Sequence, residues 1–448
     1  MNQQLTSTVV DFIHSVRPEG LPANLLHQGR RAFIDTLGVI LLGSKEPLGM
    51  ILKDFAIAEG ARPRSLILGS DQRTSPHMAA LVNGAAAHAM EYDDACGEGH
   101  LSAVLVPAVL AVAEDIGASG LDTLAAFCIG QEVASKIGKT LLGDTYHHHL
   151  RGWHGTVANG VMGAAAASAW LLRLNPRETA CALGITATHA AGMRKNFGTM
   201  TKPFHCGHAA HAGVMAATLA GAGYTASTDI LDSPLGYFDV LAEGHQQTHH
   251  LATLARPWSL LNPGVGIKLY PCCYLASRAA DAVLREGGGI QVAADEIAAV
   301  VVRLPEFEAS TLVYNQPHTG LEGKFSVQYV VAAGLLDGEL VPASFTDVRV
   351  QRRDIQRLMA KIRVQPFPGD GAVEVVVTRG DGSSISRSCT SALGSAGRPL
   401  EDRELREKFR RCAAGIVGLE GINTSLELLD VVETIADIGT LTKHLQPL

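Results

Sequence analysis

The chain has few aromatic residues and no surplus of basic ones. Phe, Trp and Tyr make up 5% of its 448 residues, and 37 Lys plus Arg stand against 44 Asp plus Glu, a net charge of −7. A protein of this charge offers no diffuse positive field to a nucleic-acid backbone. Hydrophobic residues amount to 47%, which excludes a disordered chain. The sequence therefore predicts a globular protein in which any anion must bind in a local cationic pocket.

Paired cysteines and long apolar runs are also missing. None of the eight cysteines lies in a CxxC spacing, which predicts reduced thiols. The first residues contain no basic segment followed by an apolar one, so we expect a cytoplasmic protein. The longest charge-free stretches, 156–172 and 203–227, are interrupted by Asn159 or by histidines and glycines. Neither supplies the roughly 20 apolar residues that a bilayer span requires, so we expect no membrane contact.

At about 150 residues per domain, the length predicts two or three domains. Up to about residue 224, apolar residues recur at three- and four-residue spacing, which is typical of successive helices. After residue 263 the pattern changes to β-branched runs with intervening helical segments. The predicted strands are Glu296–Leu304, Lys361–Pro366 and the hairpin Ala372–Cys389.

Helical periodicity returns in the last 50 or so residues, as 403–417 and 425–438 show. Two short helices cannot form a core alone, so we expect them to pack back on the first helical region. The predicted fold class is thus mostly α with a second α+β domain. Its boundaries are expected at 1–263 together with 395–448 for the helical domain, and at 264–394 for the α+β domain.

Three acids and a histidine gather where an apolar helix ends in a glycine-rich loop: Glu91, Asp93, Asp94 and His100. The helix dipole disfavours acids at a helix C-terminus. One interpretation is a general acid–base cluster, in which neighbouring carboxylates raise one another's pKa and His100 titrates near neutrality. The other is a solvated loop with an acidic cap, and the local sequence leaves both open.

His154 precedes a helix predicted to start near Thr156, so its imidazole is expected beside free backbone N–H groups that attract anions. The alternative is that His154 only caps the helix. Further along, Lys202 stands in an otherwise uncharged segment, where burial favours an anionic partner such as a substrate carboxylate.

His205, His208 and His211 follow Lys202 at three-residue intervals. This spacing drifts by about 60° around a helix at each step, so structural histidines are favoured over a metal site. Lys268 lies in another apolar segment, and Tyr314 is a candidate to reach back to the same cleft, although a half-buried strand tyrosine explains it equally well. Neither a Rossmann fingerprint nor a P-loop is present, which excludes those nucleotide sites.

The strings EYDDACGEGH, GWHGT, GTMTKPFHCGHAAHAG and GVGIKLYPCCYLAS resemble the MmgE/PrpD superfamily in order and spacing. That family includes 2-methylcitrate dehydratase, cis-aconitate decarboxylase and iminodisuccinate epimerase. The resemblance implies a large all-helical domain built from both chain ends, a smaller α+β lid domain and a homodimer. It also implies chemistry without a cofactor on a di- or tricarboxylate held in the cleft between the domains.

The family's acidic motif with its downstream histidine falls on Glu91, Asp93, Asp94 and His100. Its GxH motif falls on His154 and its two lysines on Lys202 and Lys268. The sequence departs from the motif at Glu91, Ala95 and Leu101, where Asp, Thr and Pro are usual. The expected catalytic residues are Asp93, His100, His154, Lys202 and Lys268. The expected substrate contacts are Glu91, Asp94, His205 and Tyr314, with no metal.

A proton α to a carboxylate is barely acidic, so such an enzyme must stabilise an enediolate with positive charge in a water-poor cleft. The sequence thus favours a lyase, either a dehydratase or a decarboxylase, acting on a polycarboxylate. An epimerase that reprotonates the same intermediate from the opposite face is the first alternative. A family member that binds a ligand or a metal without catalysis is the second.

Overall fold

The computed structural model describes residues 4–143, 147–232 and 234–447. Most of the chain before residue 263 is helical. Its helices are α1 (Leu5–Ser15), α2 (Ala23–Gly43), α3 (Pro47–Ala58), α4 (Pro76–His88), α5 (Ser102–Ile116), α6 (Gly120–Leu142), α7 (His147–Leu150), α8 (Gly155–Leu171), α9 (Pro176–Ala187), α10 (Thr201–Gly221) and α11 (Tyr237–Ala242). The short pairs β1 (Ser65–Leu66) with β2 (Arg73–Thr74), and β3 (Asp94–Ala95) with β4 (Gly266–Ile267), are antiparallel.

Most helices predicted before residue 224 are confirmed to within a few residues, and α10 shows the largest difference among them. The bounds predicted at 425–438 are wrong, since that helix spans Leu419–Asp430. For α10, the apolar pattern predicts a start at residue 209, whereas the helix begins at Thr201. Pro203 is tolerated there because the first turn of a helix leaves its N–H groups without intrahelical partners. The earlier start places Lys202 and His205 on the helix rather than in the loop before it.

Small residues allow α4, α8 and α10 to pack closely at the centre of the helical region. A Cβ atom added to Gly84 of α4 would lie 2.8 Å from the Cα atom of Gly207 in α10. Gly213 of α10 approaches α8 in the same way, since an added Cβ would lie 2.4 Å from the Ala164 side chain. This close packing places the ends of α4, α8 and α10 beside one another.

The second region carries a four-stranded sheet. Its strands are β5 (Ile297–Pro305), β6 (Ile362–Phe367), β7 (Val373–Arg379) and β8 (Ser384–Cys389). Their order is β6-β5-β7-β8, with β5 and β6 parallel and the other neighbours antiparallel. The accompanying helices are α12 (Ser277–Leu284), α13 (Glu306–Thr311), α14 (Gly320–Gly323), α15 (Val327–Asp337), α16 (Asp347–Val350) and α17 (Arg353–Met359). Helices α12 and α15 pack on the sheet and on each other.

The chain closes with α18 (Asp402–Ala413), α19 (Leu419–Asp430) and α20 (Gly439–Thr442). Both α18 and α19 pack against α2, and one buried core joins residues 9–267 with 400–445. A second core is formed almost entirely by residues 270–389. On this distribution we propose the domains 1–263 with 395–448, and 264–394. The fold is mostly α with an α+β domain, and within the described ranges no helix has the length and apolarity needed to cross a bilayer.

Candidate active site

The acidic stretch forms a turn between α4 and β3, residues 89–93, which we call the acidic turn. Helix α4 ends at His88, and Glu91 adopts φ +52°, in the left-handed region that a side chain with a Cβ atom rarely occupies. Strand β3 then pairs with β4, which places Asp94 opposite Ile267. This pairing brings the acidic turn beside Lys268, 177 residues further along the chain.

Buried lysines satisfy the carbonyl groups that follow α4. Lys324 donates to Ala89 O (2.9 Å), Lys268 to Glu91 O (3.0 Å) and Lys408 to Tyr92 O (2.6 Å). Cations favour the negative end of a helix dipole and hydrogen-bond its free carbonyls. The three ammonium groups therefore provide the compensation that the sequence does not reveal for acids at a helix C-terminus.

Glu91 is the centre of an ionic cluster. Its carboxylate contacts the ammonium of Lys202, the ammonium of Lys268 at 3.3 Å and His88 Nε2 at 3.1 Å. Burial by itself would raise the pKa of Glu91, but His88 and the two lysines hold it well below its usual value. Glu91 is therefore a carboxylate at neutral pH, and it keeps Lys202 and Lys268 together.

Asp93 lies behind Glu91 and is completely buried. It accepts a hydrogen bond from His88 Nδ1 at 2.9 Å and lies 3.7 Å from Lys268 Nζ and 3.4 Å from His100 Nδ1. Burial would raise its pKa, but His88, Lys268 and His100 hold it well below the usual value. In return, the two carboxylates overcome the effect of burial on Lys268 and raise the pKa of that lysine.

His100 is held with one ring nitrogen engaged. Its Nδ1 donates to the carbonyl of Asp94 at 2.8 Å, an arrangement that leaves Nε2 as the basic nitrogen of a neutral ring. Burial and the nearby Lys268 lower the pKa of His100 to about 4. Gly99, at φ +135°, lets this loop approach α8, since an added Cβ would lie 2.7 Å from Thr156 Oγ1.

His154 is the residue before α8, but its side chain makes no capping hydrogen bond, so the capping interpretation is wrong. Its Nδ1 lies 3.0 Å from Nδ1 of His205, and its ring packs edge-on against Phe197. Burial and Lys202 hold the pKa of His154 well below normal and lower that of His205 to about 4. Both imidazoles are thus neutral in the free protein, beside the positive end of the α8 dipole.

A cavity of about 340 Å³ opens between the helical region and the α+β region. One side is lined by Glu91, His100, His154, Lys202 and the first residues of α8. A further part of the lining is apolar and is here called the apolar wall: Phe197, Pro263, Tyr274, Leu275, Phe307 and Phe325. Lys202 Nζ lies 4.9 Å and 5.2 Å from the ring centres of Phe197 and Phe325, so its charge sits between the ionic cluster and the apolar wall.

Five of the expected site residues lie outside the cavity lining. Asp93 and Lys268 form a buried layer behind it, and His205 supports His154. Asp94 is buried and accepts a hydrogen bond from Ser102; burial raises the pKa of its carboxyl to about 7. Tyr314, which lies outside any strand, donates a hydrogen bond from its hydroxyl to the Phe197 carbonyl at 2.8 Å and so supports Phe197 in the apolar wall.

The histidine row on α10 does not converge on one point. His205 faces His154, whereas His208 lies against His189 and His211 against His77. A different set, His88, Glu91 and His100, has ligand atoms within 4.8 Å of one another. The Lys202 ammonium already contacts both His88 and Glu91, so the positive charge between these two side chains is that of Lys202.

Sequence reasoning misses three residues that complete the cluster: His88, Lys324 and Lys408. His88 is three residues before Glu91, and this spacing on the last turn of α4 is a signal that was available in the sequence. Lys324 and Lys408 carry no such signal, because each reaches the acidic turn from a distant segment. Burial of Lys324 lowers its pKa to about 8.

Comparison with known proteins identifies the family of the chain. The MmgE/PrpD N-terminal domain model matches residues 7–250, and the MmgE/PrpD C-terminal domain model matches residues 270–433. Human cis-aconitate decarboxylase is 28% identical over 465 residues, covering 100% of this chain and 95% of the relative. The Aspergillus terreus cis-aconitate decarboxylase is 25% identical over 473 residues, covering 98% of this chain and 96% of the relative. The chain belongs to the MmgE/PrpD family.

Proposed function

We propose that the protein is a cofactor-independent lyase that decarboxylates cis-aconitate or a closely related unsaturated polycarboxylate. The observation that carries the proposal is the cavity wall on which Lys202, the α8 N-terminus and the neutral rings of His100 and His154 meet. The relatives named as cis-aconitate decarboxylases, at 25–28% identity, support the same reaction class. A dehydratase of a hydroxy acid would use the same groups, but the imidazole would remove a proton from carbon instead of donating one.

The proposed chemistry needs a carboxylate-binding end and a proton donor. Lys202 and the α8 N–H groups supply the positive end, and the apolar wall excludes water and strengthens these interactions. When the C–C bond to the leaving carboxylate breaks, carbon dioxide departs. The electron pair moves through the double bond to form an enediolate on a remaining carboxylate. Transfer of a proton to a carbon atom of the enediolate then completes the reaction.

His100 is the proposed proton donor. Its free-protein pKa of about 4 leaves it neutral at pH 7. A polyanionic substrate in the cavity favours the imidazolium form, so binding would take up the proton that catalysis transfers to carbon. His100 Nδ1 stays hydrogen-bonded to the Asp94 carbonyl, and the transferred proton is carried by Nε2. Asp93 stabilises the imidazolium from 3.4 Å without contacting the substrate.

An epimerase is the second candidate, because His154 supplies a second imidazole to the lining of the cavity. An epimerase needs two groups that exchange protons on opposite faces of one carbon and no leaving group. The third candidate is a protein that binds its ligand without catalysing a reaction.

Proton NMR in deuterium oxide separates these functions when citrate, 2-methylcitrate, cis-aconitate and iminodisuccinate are supplied one at a time. The proposal expects cis-aconitate to lose carbon dioxide with one deuteron incorporated per product. Loss of water from citrate or 2-methylcitrate would instead identify a dehydratase, and exchange without elimination an epimerase. No change with any of the four acids would contradict a lyase acting on them.

We also propose a homodimer, as the resemblance implies. The helix α3 exposes Met50, Ile51 and Phe55 at 44%, 59% and 50%, an apolar face that a second copy could cover. Light scattering on wild type and Ile51→Lys tests this. A dimer that becomes monomeric in the variant supports the α3 face, whereas a monomeric wild type contradicts the dimer.

A further inference from the structure

The join between the acidic turn and the Lys268 segment is short. Only two residue pairs connect β3 and β4, Asp94 with Ile267 and Ala95 with Gly266. The charged residues that matter, Asp93 and Lys268, come immediately beyond this ladder. A slip of one residue would turn side chains to the other face, and a ladder of two pairs supplies few backbone hydrogen bonds against such a slip. Contacts outside the ladder are therefore needed to hold the two segments in register.

Lys408 of α18 lies at this point. Its ammonium donates to the carbonyl of Tyr92 at 2.6 Å and to the carbonyl of Lys268 at 2.8 Å. It also pairs with the Asp35 carboxylate of α2 at 2.7 Å and lies 3.9 Å from the centre of the Tyr92 ring. Two of its N–H groups therefore serve the two carbonyl oxygens, and the Asp35 carboxylate supplies the opposing charge.

We propose that Lys408 is a positioning residue that fixes the register between the acidic turn and the Lys268 segment. By joining the Tyr92 and Lys268 carbonyls, it extends the two-pair ladder with charge-assisted hydrogen bonds, which are stronger than neutral ones. Lys268 is thereby held against Glu91 and Asp93. Lys408 itself does not line the cavity.

The burial of Lys408 supports this role over a purely stabilising one. The residue is 5% exposed and its partner Asp35 is 2% exposed, and burial raises the pKa of Asp35 even with Lys408 beside it. Buried ion pairs often contribute no more stability than apolar residues of similar volume. A pair retained at such a cost, with two of its three contacts on the chain segments that carry Glu91, Asp93 and Lys268, points to positioning.

The test compares Lys408→Met, Lys408→Arg and the double variant Asp35→Asn with Lys408→Met. The single Met variant leaves Asp35 buried and unpaired, so it loses stability as well as the two carbonyl contacts. The double variant removes the stranded charge. We expect its melting temperature to recover while kcat stays about 10 to 100-fold below wild type, because misplacement by about 1 Å can reduce a rate about 100-fold. Lys408→Arg should restore part of the rate.

Arg31→Met is the matched control. Arg31 is a buried cation that also joins α2 to α18, through Asp402 and the Leu400 carbonyl, without contacting the acidic turn. It should lower the melting temperature while the folded fraction keeps its kcat. If the double variant regains wild-type kcat, Lys408 only stabilises the fold. The same conclusion follows if the folded fraction of Arg31→Met loses as much kcat as the double variant does.

The kinetic readout rests on the proposed function, so a crystal structure of the double variant supplies a readout that needs no substrate. We expect the Lys268 ammonium to move away from Asp93, which it approaches to 3.7 Å in the wild type. Unchanged contacts from Lys268 to Glu91 and Asp93 would overturn the proposal. A wild type that turns over none of the acids would instead contradict the proposed function and leave the structural result to decide the role of Lys408.

Discussion

The cavity wall and the buried layer behind it carry their charges differently. On the wall, His100 and His154 are neutral because burial and neighbouring cations lower their pKa values. In the layer behind, Asp93 and Lys268 stabilise each other's charged forms. A neutral imidazole can take up and pass on a proton once an anionic substrate raises its pKa, whereas a paired ion must lose its partner to do so. Under the proposed function, this difference predicts proton transfer by the wall residues and positioning by the rear layer.

The largest effect is expected from His100→Gln, which removes the basic nitrogen from the wall. We expect kcat to fall by about 10² to 10⁴-fold, the usual range for one general acid or base, while the melting temperature changes little. Steady-state kinetics and thermal melts measure both. Wild-type kcat in this variant would contradict proton transfer by His100 and would favour His154 in that role.

Lys202→Met removes the cation that the wall presents to the cavity. We expect kcat/KM to fall by about 100-fold, because Lys202 would meet the substrate carboxylate and its removal also leaves Glu91 with one cation fewer. A fall in kcat rather than a rise in KM would indicate contact with the developing enediolate. The exposed Lys195→Met, on the preceding segment, is the control and should match wild type.

The pH dependence sharpens the assignment of His100. Because its free-protein pKa is about 4, a His100 that must gain a proton on substrate binding makes kcat/KM fall about tenfold per pH unit between pH 6.5 and 8. If His100 acts instead as a base, it is already neutral in this range and the profile is flat. His100→Gln should lose whatever slope the wild type shows, which separates His100 from substrate ionisation.

The smallest effect is expected from Asp93→Asn in the rear layer. The change keeps the shape of the side chain but removes the charge that holds His88, Lys268 and His100. We expect kcat to fall by about tenfold, with a lower melting temperature because Lys268 loses one of its two carboxylate partners. A loss as large as that of His100→Gln would show that the rear layer takes part in proton transfer.

Much of the fold follows from local patterns. The α2, α4 and α6 helices and the β7–β8 hairpin lie where the periodicity predicts them, because a spacing of 3.6 or 2 residues is itself the signature of one buried face. Pro76 and the Asn175 capping box mark helix starts through their own backbone chemistry. Helix α3 and the early start of α10 were not predicted, since propensity near a proline is ambiguous.

The motifs in the sequence identify the family and the residue types of the site, because short strings such as TKPFHCGHAAH are readable without any contact. Which charges face the cavity is settled only by tertiary packing. Lys268 meets Glu91 across 177 residues and Lys408 meets Tyr92 across 316, and no local pattern encodes such partners. The three equally spaced histidines of α10 take three different partners for the same reason: burial and pairing depend on which distant segment packs against each one.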